Sequence, residues 1–239
     1  MRAQGGFMKK ILVVFLFLMS GLAMGQELPT LRYSAIDTGY IPYGFDSNDN
    51  VQFVIEGVYR DTCSRPAGTQ FKINKSTRTI EVMSYEYRYE GPCLDVLVPH
   101  DEVVNLGVVP EGTYRIFQAN GANLGQLAVT KATKASPDDY LYAPVSQAYL
   151  KSVNGKVMVT ISGSFTNSCM QLSHVRTQVQ PRVISLQPIA SINNRIANCK
   201  NGNYPFEQTV VIDHVKQGRY LLHVRSLNGK AVNHLFDVN

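Results

Sequence analysis

Local catalytic signatures are missing from this sequence. It holds no Gly-x-Ser-x-Gly, no His-Glu-x-x-His, no P-loop and no Gly-x-Gly-x-x-Gly, which removes the hydrolases, zinc proteases and nucleotide binders that those motifs announce. There is no Cys-x-x-Cys, and the histidines His100, His174, His214, His223 and His234 are scattered. Metal-ligand spacing is therefore lacking. His214 and His223 fall on neighbouring expected strands and read as surface or half-buried imidazoles. No basic stripe or cluster occurs, so nothing favours nucleic acid as a partner. After the first 25 residues no apolar run approaches the roughly 20 residues of a spanning helix, and no segment carries a sustained helical stripe. The expectation is a protein that is not an enzyme and needs no cofactor and no metal.

The first 25 residues read as an export signal. Met8-Lys9-Lys10 gives a basic start, Ile11 to Met19 is almost wholly apolar, and Ala23-Met24-Gly25 offers small residues before a cut at Gln26. Losing Arg2, Lys9 and Lys10 leaves 20 basic against 18 acidic residues. Their signs are unevenly placed. Residues 26–130 carry 8 Lys/Arg and 13 Asp/Glu, whereas residues 131–239 carry 12 and 5. Such polarity can hold the two halves together, align molecules head to tail, draw the second half to an anionic surface, or be ordinary drift in solvated charge.

Four cysteines in an exported chain make two disulfides, in one of three pairings. An internal repeat selects among them. At an offset of 106, Val51, Ile55, Gly57 and Cys63 fall on Val157, Ile161, Gly163 and Cys169; Cys93 falls on Cys199, and Gly112 and Tyr114 fall on Gly218 and Tyr220. A period of that length is a whole small domain rather than a solenoid unit. Each copy spaces its cysteines alike, so the expected pairs are Cys63–Cys93 and Cys169–Cys199.

Within each copy the pattern has period two. "VQFVIEGVY" sets Val51, Phe53 and Ile55 on one side and Gln52, Val54 and Glu56 on the other, and "VMVTISGSF" repeats it. Turn-forming stretches such as "SNDN", "SRPAG", "ANGA" and "SLNGK" punctuate the runs. "VVPEGTYRIFQANG" and "HVKQGRYLLHVRSLNG" resemble the tyrosine corner of immunoglobulin-like and fibronectin type III domains. The resemblance gives Gly112, Tyr114, Gly218 and Tyr220 that structural role. The chain has no tryptophan, so the Trp that packs on the antibody inter-sheet bridge is absent. The expected fold class is all-β: residues 1–25 a signal peptide, then two tandem Ig-like β-sandwich domains, 26–130 and 139–239, each with one internal disulfide, joined by a polar linker at 131–138.

One stretch stands out for binding. In "MSYEYRYEGPC", Tyr85, Tyr87 and Tyr89 alternate with Glu86, Arg88 and Glu90, which on a strand puts three phenol rings on one face and a charged row on the other. The offset of 106 sets Ser191, Asn193 and Arg195 against the tyrosines. Features shared by the copies build the fold, and a feature of one copy is free for a task of its own. Tyrosine is enriched at binding surfaces, so Tyr85, Tyr87, Tyr89 and Arg88 are the candidate binding residues; packing at a sandwich edge is the competing role. The expected function is a non-enzymatic module of the periplasm or exterior that contacts an unknown protein, glycan or envelope component. A secreted protease inhibitor or effector acting through loops of the first domain, "SRPAGT" above all, is the alternative.

Overall fold

The computed structural model describes residues 28–134, 140–153, 155–195 and 198–239. The signal-peptide expectation and residues 135–139 of the connector lie outside the described residues. The first half contributes β1 (Thr30–Ser34), β2 (Thr38–Tyr40), β3 (Phe45–Asp46), β4 (Asn50–Tyr59), β5 (Ser64–Asn74), β6 (Thr79–Arg88), β7 (Val98–Val108), β8 (Gly112–Gln118) and β9 (Asn123–Thr130). The second contributes β10 (Val145–Val153), β11 (Lys156–Asn167), β12 (Met170–Gln180), β13 (Val183–Ile192), β14 (Asn201–Ile212), β15 (Gly218–Ser226) and β16 (Lys230–Val238). The described residues hold no α-helix. The chain is all-β.

Each half stacks a three-stranded sheet on a larger one. β2-β4-β7 faces β5-β6-β8-β9, to which β1 and β3 are added; β10-β11-β14 faces β12-β13-β15-β16. Alternation drives the stacking. Val51, Phe53 and Ile55 of β4 point into one buried cluster with Ile80, Ile116 and Leu127. Val157, Val159 and Ile161 of β11 do the same with Ile184, Leu186 and Leu222. Each such side chain contributes about 1.5–3 kcal/mol on leaving water. In antibody constant domains the third strand pairs with the sixth. Here, counting from β10, the fourth strand β13 pairs in parallel with the sixth, β15, as β6 does with β8 in the first half, and β12, like β5, takes the sheet edge.

The disulfides are Cys63–Cys93 and Cys169–Cys199. Each ties the crossing from β4 to β5, or β11 to β12, to the crossing that leaves β6 or β13 for the opposite sheet. The same corner surrounds both. Asp61 and Asn167 accept the amides of Cys63 and Cys169. Thr62 N–H donates to the Leu94 carbonyl and Ser168 N–H to that of Lys200, while their hydroxyls accept the amides of Leu94 and Lys200.

The constant offset of 106 does not survive in one strand. Phe71 lies opposite Val82 and Thr177 opposite Leu186, so β5 maps on β12 at 106 but β6 maps on β13 at 104. Arg78 and Arg182, the left-handed turn residues at φ 52° and 67°, are likewise 104 apart. The second hairpin is two residues shorter, and the stretch before Cys199 regains them. The counterparts of Tyr85, Tyr87 and Tyr89 are therefore Ile189, Ser191 and Asn193, not Ser191, Asn193 and Arg195.

The outer faces of two sheets meet between the halves. Tyr40 and Val54 pack on Val183, Leu221 and Leu235, so Gln52 and Val54, expected on the open side of their strand, are buried. Arg225 of β15 crosses this interface. Its guanidinium donates to Asp49 at 2.9 Å, to the Gly44 carbonyl at 2.6 Å and to the Tyr142 hydroxyl at 3.0 Å, and stacks 4.5 Å from the Phe45 ring. Arg219 bonds Glu56 at 2.6 Å and Asp237 at 2.9 Å. In both cross-half pairs the acid comes from the first half and the base from the second.

Candidate functional site

The tyrosine stretch lies on β6, whose even residues Ile80, Val82 and Ser84 are buried and whose odd residues face outward. β1 pairs antiparallel with its second half, placing Leu31 opposite Tyr87 and Tyr33 opposite Tyr85. Tyr33 and Tyr85 stack with centroids 5.0 Å apart. Leu31 is 58% exposed, Tyr33 67%, Tyr87 41% and Tyr89 44%. Tyr85 and Tyr87 thus share one open face with two β1 residues that no local pattern singles out. Tyr89 lies just past the strand end. The counterpart Ile189 is buried and bridges Tyr142, so the second sandwich is covered where the first is open.

Arg88 lies on the opposite face, with Glu86, and ion-pairs with Asp61. That guanidinium, by its hydrogen bond, holds the Asp61 carboxyl below the usual carboxylate value. Both line a cleft of about 360 Å³ between β1, the end of β4 and β6, together with Arg32, Tyr33, Tyr59, Arg60 and Ser64. Beneath it Tyr59 stacks on His100, centroids 3.9 Å apart. The Tyr59 hydroxyl and His100 Nδ1 are both buried without a hydrogen-bond partner. Burial first, then Glu86 and Glu102, pushes the Tyr59 phenol up to about 12; burial lowers His100 against four surrounding carboxylates. Tyr59 therefore stays a neutral donor and His100 a neutral imidazole at physiological pH. A second hollow, of about 640 Å³, opens between β1 and β8 along Glu81, Met83 and Gln118.

The tyrosine-corner residues divide. Tyr114 is buried and its hydroxyl donates to the Pro110 carbonyl at 3.0 Å. Tyr220 is buried against Phe236. Gly112 and Gly218 both sit at φ +147°, a conformation that side chains with a Cβ rarely adopt. Two local expectations are corrected. "SRPAGT" is no loop: Ser64 to Thr69 run within β5, paired to β6 around a bulge at Pro66/Gly68, because β6 supplies a ladder on that edge. His223 is neither surface nor half-buried; it is 2% exposed under the first half. The turn expected at "SNDN" is present, and its Asp49 is buried by Arg225. The cluster of Asp61, Cys63 and Cys93 offers no thiolate, since its sulfurs are bonded to each other.

Arg32, Tyr33, Tyr59 and Arg60 escape a reading by motif because they meet only through the β1–β6 register and the sheet crossing. The one usable signal lay in the repeat itself, where Tyr59-Arg60-Asp61 stands against Phe165-Thr166-Asn167.

Among known proteins, the sequence model of the ORF11 beta-sandwich domain matches residues 53–129, from β4 through β9. This is similarity over the first sandwich, and it agrees with the sheet stacking. No curated protein and no solved structure matches the chain.

Proposed function

We propose that the chain is an exported, non-catalytic binding module of a bacterial envelope, acting in the periplasm or outside the cell. It contacts a protein, glycan or surface component through the face formed by Leu31, Tyr33, Tyr85 and Tyr87. One observation carries this reading: the rings lie open and side by side on the first sandwich, while the second sandwich buries Ile189 at the same place. Broad, stiff rings give contact area at small entropic cost. The two disulfides fit an oxidising compartment. Kinship with immunoglobulin-like or fibronectin type III domains belongs to the proposal as well, supported by the Tyr114 corner and the three-and-four sheet membership.

Affinity capture from an envelope extract tests it. Tyr87→Ala should lower recovery of the partner by about tenfold or more, the scale of an aromatic anchor, with the melting temperature unchanged. Undiminished capture after replacing Tyr85, Tyr87 and Tyr89 together would reject the face. Turnover in a hydrolase screen would reject the non-catalytic reading.

A further inference from the structure

The end of each sandwich next to its disulfide is built from the same backbone, with opposite chemistry. In the second, Phe165, Ala190 and Ala143 are buried, with Met170, Leu172 and Phe206 packed on them. Strand register identifies their counterparts in the first. Phe165 and Phe206, with centroids 4.9 Å apart, correspond to the stacked Tyr59 and His100. Met170 corresponds to Ser64, Ala190 to Glu86 and Ile192 to Arg88. Arg32 lies opposite Glu86, and Leu141 meets Ala190 through the Ala190 N–H to Leu141 carbonyl bond, so these two also correspond. A hydrocarbon plug satisfies the fold at this end. In the first sandwich a phenol, an imidazole and a carboxylate stand in place of Phe165, Phe206 and Ala190, Arg32 and Arg88 stand where Leu141 and Ile192 are exposed, and a cleft opens there.

That replacement has an energetic cost. A buried hydroxyl and a buried ring nitrogen without partners each forfeit roughly 1–3 kcal/mol, where the second sandwich shows that phenylalanine would serve. Of the two residues Tyr59 lines the cleft, and a ligand there recovers the cost at its hydroxyl by supplying the missing partner. The lining limits its chemistry. Arg88 and Asp61 satisfy each other. Arg32 and Arg60 line the cleft with no ion pair among the described residues, and a guanidinium fork matches a carboxylate in two-point geometry. Glu86, on the same sheet face as Arg32, accepts from hydroxyls. A volume near 360 Å³ falls at the small end of ligand sites.

We propose that this cleft is a binding site for a sugar acid, a pyranose ring bearing a carboxylate. Arg32 and Arg60 hold the carboxylate, and Glu86 and the Tyr59 hydroxyl bind ring hydroxyls. The site goes beyond the outer tyrosine face and does not need it, since Tyr87 takes no part.

Titration of the full mature chain with glucuronate, glucose and acetate, followed by amide chemical shifts, tests the proposal. Glucuronate should give saturable shifts at residues 32–35, 58–61 and 86–88, and bind about tenfold or more tighter than either glucose or acetate. Arg32→Leu, which copies Leu141, and Arg60→Thr, which copies Thr166, should each weaken it about tenfold, the value of a charge-assisted pair, with unchanged thermal stability. Tyr87→Ala should leave it intact. Glucose or acetate binding as tightly as glucuronate, shifts equal in the arginine variants, or no saturable shift in the millimolar range would overturn the proposal. A short oligoglucuronate separates the two sources: tighter binding than the monomer assigns a residue within a polymer, and equal binding assigns the free acid.

Discussion

A Cβ at residue 163 would lie 2.1 Å from the Pro144 carbonyl oxygen and 2.9 Å from the Phe206 ring; at residue 57 it would lie 2.5 Å from the Ala35 oxygen and 2.8 Å from His100. Both glycines are needed because the preceding segment crosses directly over the strand, and neither takes a left-handed backbone. Gly163→Ala should therefore cost about 3 kcal/mol, at the upper end of overpacking penalties. A denaturant midpoint within experimental error of wild type would show that Pro144 can move aside. The recurrence of this glycine was legible in the sequence, but its cause was not, since the clash comes from a carbonyl 19 residues away. Arg225 and His223 show the same limit. Their burial depends on the first half covering an outward sheet face, and alternation within "RYLLHVRS" says only that such a face exists.

Strand by strand, legibility followed the half-buried pattern. β4, β8, β11 and β15 announce themselves because one face is core. β5 and β12 are edge strands, mostly exposed, and without an apolar side their period vanishes; "SRPAG" accordingly read as a turn. The two-residue shift of β6 against β13 was hidden because the cysteines restore the 106 offset beyond it. What the repeat did determine was the pairing of the sulfurs, with a sequence separation of 30 in both bridges. Closing a loop of that size removes about 3–4 kcal/mol of chain entropy from the unfolded state. Replacing Cys63 and Cys93 together by serine should lower the unfolding free energy by about that amount, measured by denaturant titration. The same corner is also tied by the Cys63 N–H to Asp61 bond and by the pair of bonds between Thr62 and Leu94. A loss under about 1 kcal/mol would mean that those bonds, rather than the bridge, fix the crossing.

Across the whole molecule, two acids of the first half and two bases of the second meet where two sheet faces pack together. Asp49 and Glu56 meet Arg225 and Arg219; burial opposes ionisation of Glu56, yet the Arg219 and Tyr40 hydrogen bonds outweigh it and hold its carboxyl below the usual value. The same faces enclose His223, whose Nδ1 donates to Asn233 Oδ1 at 2.8 Å and whose ring lies 5.9 Å from Phe45. Burial, with the neighbouring Arg225 charge adding to it against the Asn233 bond, lowers this imidazole to about 4. The unfolded chain titrates near 6.5. Between those values the unfolded state binds a proton that the folded state refuses, so stability falls as pH falls from about 6.5 toward 4 and is level above 7. The shift corresponds to about 3 kcal/mol. His100, lowered by burial, acts in the same direction, so the contribution of His223 is the difference between wild type and His223→Gln, which keeps a donor for Asn233. That difference should favour wild type more at pH 7 than at pH 4, by about 3 kcal/mol in urea titrations of the whole chain. A constant difference across the range would mean that the halves part, and hydrate the imidazole, before either sandwich unfolds.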